Sequence, residues 1–110
     1  ISEEAMAAMD YIGSQFSDCW AFVTRFFEDH RGVRVDPVAH QNKELFAPVD
    51  EPQDGDLALI RTHGRWGHAG IFYYRGVLHH TPTHGVIYQR NVDAKFYRCR
   101  VQRPTSPYPE

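Results

Sequence analysis

The sequence predicts an α+β domain, with helices first and an antiparallel sheet after them. Three observations predict it. Residues from about Asp18 to about His30 place apolar side chains at helical spacing, with charged ones opposite. From Asp54-Gly55 onward, short β-rich runs alternate with turn signals. Helical and strand patterns occupy separate halves of the chain, which argues against alternating βαβ units and a parallel sheet.

Taken in order, Ser2 is placed to cap a first helix, with Glu3 and Glu4 at its positive end. Ala5, Met6, Ala7, Ala8 and Met9 favour helix, and Gly13 is its expected end. A short link, Ser14 to Ser17, leads to the second helix. There Cys19, Trp20, Phe22, Val23, Phe26, Phe27 and His30 fall on one side, and Ala21, Thr24, Arg25, Glu28, Asp29 and Arg31 on the other. Gly32 is its expected C-terminal cap. A long connection, Val33 to Gln53, is interrupted by Pro37, Pro48 and Pro52, with room for a helical turn or two between Ala39 and Phe46. So long a connection in a small domain suits the wall of a cleft.

About five strands are expected. They run Asp56 to Arg61, His68 to Tyr74, Val77 to Thr81, Gly85 to Arg90 and Phe96 to Gln102. Thr62 to Gly67 reads as a loop and Arg75-Gly76 as a tight hairpin turn. Residues 1–103 form one expected domain, and residues 104–110 a Pro-rich tail. The chain has 110 residues, enough for one core.

Charge excludes some function classes. Twelve basic and fourteen acidic residues give a net charge of −2, so no strong field invites nucleic acid. No apolar run is long enough to insert across a bilayer. Ile1-Ser2-Glu3-Glu4 lacks the layout of a secretory signal, and without an initiator methionine the chain is expected to be processed or part of a longer one. Its two cysteines, Cys19 and Cys99, show no framework spacing, and no C-x-x-C pair offers a thiolate zinc site. Cys99 lies in an alternating run and reads as a small buried side chain.

Cys19 is different. A polar stretch, Ser17-Asp18, runs into the apolar helix, and Cys19 stands at its mouth. Unpaired backbone N–H groups and the positive end of the helix dipole are expected to favour its thiolate. An arbitrary cysteine on a helix stripe is more often core, but this one occupies the first turn. His68, between Gly67 and Ala69-Gly70 at a strand start, can act as base. His79 and His80 point to opposite faces of the next strand, so at most one can orient His68. A two-residue turn at Arg75-Gly76 pairs Phe72 with His79 and puts His79 on the face of His68; a bulge selects His80 instead. His63, His68, His79, His80 and His84 also raise a zinc alternative, but no acidic residue lies at a compelling spacing and two of them sit in loops. His30 and His40 read as surface or helix-end residues. No cofactor is expected.

At these residues the chain resembles the NlpC-type cysteine peptidases of bacterial peptidoglycan. The resemblance rests on Asp18-Cys19 opening a helix, Gly55-Asp56 before the first strand, His68-Ala69-Gly70-Ile71-Phe72, and Val77-Leu78-His79. It covers roughly Tyr11 to Arg100. It implies a papain-like fold with Cys19 as nucleophile, His68 as base and His79 as third member; counting without a gap selects His80. The doubled Leu78-His79-His80, with Asp18-Cys19-Trp20 upstream, is most similar to the subgroup in tail-assembly or tail-tip proteins of long-tailed phages. That implies stem peptides as substrate and other tail proteins as partners. It also implies a place in the virion tail tip, or in host cytoplasm during assembly, with action in the cell wall. There are departures. The loop before the cysteine is short, and Ala21 replaces a common glycine. Phe16 stands where relatives carry a tyrosine whose hydroxyl helps the oxyanion site, and Tyr11 is the candidate substitute. The short loop and Phe16 favour a weak or inactive structural tail module as the alternative.

Overall fold

The computed structural model describes residues 3–101. The first helix, α1, spans Glu3–Met9 and ends well before Gly13. The N–H groups of Asp10, Tyr11 and Ile12 bond to carbonyls three residues back, so the chain tightens into turns. Ser2, its expected cap, lies outside the described residues, as does the tail 104–110.

The second helix, α2, spans Cys19–Arg31. Asp18 is its N-cap, and the carboxylate accepts the Ala21 N–H at 2.8 Å. At the far end Gly32 turns left-handed, φ 64°, and gives its N–H to the Glu28 carbonyl, ending the helix as expected. The apolar stripe faces inward, with Phe22, Val23, Phe26 and Phe27 buried. Each buried phenylalanine contributes about 2–3 kcal/mol of apolar transfer.

Among the described residues six strands, one more than expected, build a single antiparallel sheet. They are β1 (Phe46–Val49), β2 (Leu57–Thr62), β3 (Arg65–Tyr73), β4 (Gly76–Thr81), β5 (Gly85–Arg90) and β6 (Ala94–Cys99), in the spatial order β1-β6-β2-β3-β4-β5. The extra strand is β1, inside the connection read as irregular. It pairs Phe46 with Cys99 through Val49 with Phe96. Pro48 hid it, because proline suits a strand only at an edge, where a missing donor is tolerated. In the same connection a single 3-10 turn forms at Ala39–Gln41.

Two turns differ from expectation. His63 and Gly64 both take positive φ, 50° and 76°, and close a two-residue hairpin between β2 and β3. Most of the expected loop 62–67 is therefore strand. Gly67 is an inserted residue, since Ile60 pairs with His68 while Arg61 pairs with Trp66. The turn between β3 and β4 is Tyr74-Arg75, φ 50° and 65°, not Arg75-Gly76. Phe72 consequently faces Val77, and His79 faces Gly70. Register has moved by two places. Side chains alternate with period two, so His79 keeps the face the sequence predicts for it.

The sheet has two unlike faces. Leu57, Ala69, Ile71, Tyr73, Leu78 and Val86 pack beneath α2 in the main core. The opposite face carries a smaller cluster of Ala58, Ile60 and Val77, with Phe72 and Phe96 against it. His68, opposite Ile60, belongs to this second face. Buried Asp56 ties β2 to β6, accepting from Arg98 Nη2 at 3.0 Å and Nε at 3.2 Å, and from the Gln53 N–H at 2.8 Å.

Candidate active site

β3 and β4 bring His68 and His79 together. His68 Nε2 lies 2.8 Å from His79 Nδ1, with the rings nearly perpendicular. The two residues are diagonal neighbours, because His79 stands directly opposite Gly70. A side chain at position 70 would collide there: a Cβ would lie 2.5 Å from the Leu78 carbonyl oxygen and 3.0 Å from the His79 Cβ. Gly70 thus clears the space across which the two rings meet.

A third member joins them. His79 Nε2 lies 2.9 Å from Gln89 Oε1 on β5. An amide oxygen only accepts, so His79 carries its proton on Nε2 and accepts on Nδ1. His68 then donates through Nε2, which leaves its Nδ1 as the bare, proton-accepting nitrogen. This relay gives His68 the tautomer a general base requires. Burial, followed by the proximity of His79 and His80, pushes His68 down to about 4, so it is neutral at pH 7. Burial likewise lowers His79, and the Gln89 bond partly opposes it.

Gln89 was not singled out from the sequence. Its signal is parity: in β5 it shares the His79 face, one alternation beyond Ile87, which pairs with His79.

Cys19 is the first residue of α2 and is half-buried. Its sulfur meets the backbone N–H of Ala69, the residue that follows His68. The expected lowering of the thiol does not occur. Burial dominates and pushes Cys19 up, and the Asp18 carboxylate adds to this. Backbone N–H groups of Ala69, Trp20 and Cys19 itself pull the other way without prevailing. At rest the thiol is neutral, as is the His68 imidazole, and the Ala69 N–H joins the sulfur to the residue next to that histidine. A surface groove of about 400 Å³ runs along the start of α2, lined by Phe16, Ser17, Asp18, Trp20, Ala21 and Thr24 among others.

His80 points to the other face of β4. Its Nε2 accepts the Phe16 N–H at 3.1 Å, and it does not join the His68 relay. Tyr11 cannot replace the missing tyrosine hydroxyl. It donates to Asp29, ten residues beyond Cys19 and thus about 15 Å along the helix, and its ring packs on Phe22 and Phe26. His63 and His84 lie in exposed turns, apart from the histidine pair. His40 is not a surface residue: it is half-buried, stacks on Trp20 and sits beside Tyr97, so the long connection does press against the start of α2. His30 stacks on Phe26 near the end of α2. Cys99 is buried in the core, and both cysteines are free.

Among the described residues no helix is long and apolar enough to cross a membrane. No curated protein matches the chain. Over residues 10–105, a span that holds Cys19, His68, His79 and Gln89, the sequence matches the NlpC/P60 family. That span is most of the chain, so the protein belongs to the NlpC/P60 family, a membership that suggests a cell-wall peptidase with peptidoglycan as substrate.

Proposed function

We propose that the chain is a cysteine peptidase that hydrolyses peptide bonds in peptidoglycan stems. In this reading Cys19 is the nucleophile, His68 the base and His79 the orienting member, in the papain manner. The observation that carries it is the relay from Gln89 through His79 to His68, which keeps one imidazole nitrogen bare on the residue before Ala69, whose backbone N–H meets the half-buried thiol. The thiol proton passes to His68 Nδ1 as sulfur attacks the amide carbonyl. The resulting oxyanion is held by the Cys19 backbone N–H, one of the unpaired donors of the helix start. The C–N bond then breaks, and the imidazolium gives its proton to the leaving amine. Water, deprotonated by His68, attacks the thioester, releases the carboxylate and restores the thiol.

The test is digestion of purified peptidoglycan by the wild-type protein and by Cys19→Ala, with released stem peptides read by mass spectrometry. Stem cleavage by the wild type alone, with both proteins equally folded, is expected. Equal release by both rejects the proposal.

We place the protein in a phage tail tip, or in host cytoplasm during tail assembly, with other tail proteins as partners. The doubled histidine after Leu78, together with Asp18-Cys19-Trp20, supports this. Detection of the chain in purified virions or in tail-assembly intermediates tests the placement, and its absence from both refutes it. A second reading, a tail module of the same fold with little turnover, is favoured by Phe16 and by the upward shift of Cys19. Cys19 labelling against pH separates the two: a rate that depends on His68 supports the peptidase, and one that does not supports the module.

A further inference from the structure

His80 is a buried histidine that the peptidase reading leaves without a task. Only 5% of it is exposed, and its neighbours define what it does. Its Nε2 accepts the backbone N–H of Phe16 at 3.1 Å, across 64 residues of sequence. Its ring stands edge-on to the Phe16 ring, at 6.2 Å between centroids, and Phe16 packs on Phe22 of α2 at 5.6 Å. Two backbone bonds attach the same segment to β5: the Gly13 N–H to the Val86 carbonyl at 2.8 Å, and the Val86 N–H to the Ser14 carbonyl at 3.0 Å. A Cβ on Gly85 would lie 2.4 Å from the Ser14 oxygen, so the segment lies against the sheet as closely as glycine permits. Among the described residues, the His80 bond is the last hydrogen bond from this segment to the sheet before Cys19.

We propose that His80 is a positioning residue that holds the lead-in to Cys19 against β4, so that the His79-His80 dipeptide sets both reacting groups from one strand. His79 faces one side and orients the base. His80 faces the other and anchors the chain three residues before the sulfur. The spacing between thiol and imidazole then depends in part on this stretch of β4 backbone, and a misplacement of about 1 Å is enough to cost roughly a hundredfold in rate. The bond requires an unprotonated Nε2, hence a proton on Nδ1. The consequence for turnover rests on Cys19 being the nucleophile; the anchor itself does not.

The experiment compares wild type, His80→Leu and His80→Gln. Gln can put an amide oxygen near the position of Nε2, and Leu cannot. Amide hydrogen exchange at Phe16, iodoacetamide alkylation of Cys19, and kcat and KM on peptidoglycan fragments are read. Leu is expected to accelerate Phe16 exchange and to lower alkylation and kcat by about tenfold to a hundredfold, with KM little changed; Gln restores both to within a few-fold. Long-range nitrogen-proton NMR of the wild type should show His80 with its proton on Nδ1, a readout that needs no variant to fold. A proton on Nε2, or unchanged Phe16 exchange in His80→Leu, overturns the anchor. Faster exchange with unchanged Cys19 alkylation overturns its positioning role. If the wild type cleaves no peptidoglycan, the peptidase reading fails, while exchange and alkylation still decide the role of His80.

Discussion

The two cysteines make an instructive pair. Both are free thiols, and burial pushes both up from the ordinary thiol value. Cys99 even has a favourable cation near it, since Arg31 pulls its value down, as does the Val101 N–H. Cys19 has the Asp18 carboxylate nearby, which pushes the wrong way. Judged by resting electrostatics, Cys19 is not the better nucleophile. What separates them is surroundings. Cys99 faces the core opposite Phe46. Cys19 is half-buried, opens a helix, and touches the residue after a histidine whose tautomer is set by two further groups. In the proposed mechanism Cys19 therefore works through a base and through access, rather than through stored thiolate.

This contrast can be broken in several ways. Cys19→Ala should lower peptidoglycan cleavage by at least about a thousandfold, while Cys99→Ala retains it. Comparable losses from both would erase the distinction. His79→Ala frees the tautomer of His68 and should lower kcat by about a hundredfold. Gln89→Ala, one step further out, should cost about tenfold, measured by the same assay. Gln89→Ala costing more than His79→Ala would contradict the order of the relay.

Stability sharpens the comparison from the other side. Cys99→Ala removes core contacts and should cost about 1 kcal/mol in chemical denaturation, with Cys19→Ala nearer zero. Alkylation should follow the same division, with Cys19 modified in the native protein and Cys99 only on unfolding.

The smallest expected effect is on pH. Folding lowers His68 from 6.5 to about 4, so between those values the unfolded chain binds more protons. The stabilisation is complete above about 6.5 and is lost as pH falls through about 4. Melting temperature should decline over that window, and His68→Asn should flatten the decline. On the same grounds, kcat/KM should rise with pH through the His68 value on the acid side; a flat profile across that value would contradict His68 as the base.

Much of this was legible in the residues. The α2 stripe was strong because thirteen residues repeat one helical pattern between a capping aspartate and a left-handed glycine. His79 was found on the correct face although its turn was misplaced, because parity survives a two-place slip. The Pro48 strand was not legible, since only its position at the edge makes proline acceptable there. Nor was the direction of the Cys19 shift. A helix start can be read from Asp18-Cys19, but the burial that outweighs it depends on how tightly β3 closes against the helix. Gln89 escaped because a glutamine near the end of a strand looks solvated until β4 is laid beside it.

The tandem histidine has one more consequence, concerning how such a domain tolerates change. Losing or gaining a single residue in the Tyr74-Arg75 hairpin flips every side chain of β4 to the reverse surface. Most strands would lose their chemistry in that event. Here an imidazole would still be delivered to each side, with the two rings trading jobs. A strand that carries the same group twice in succession keeps that group on both surfaces through such a slip.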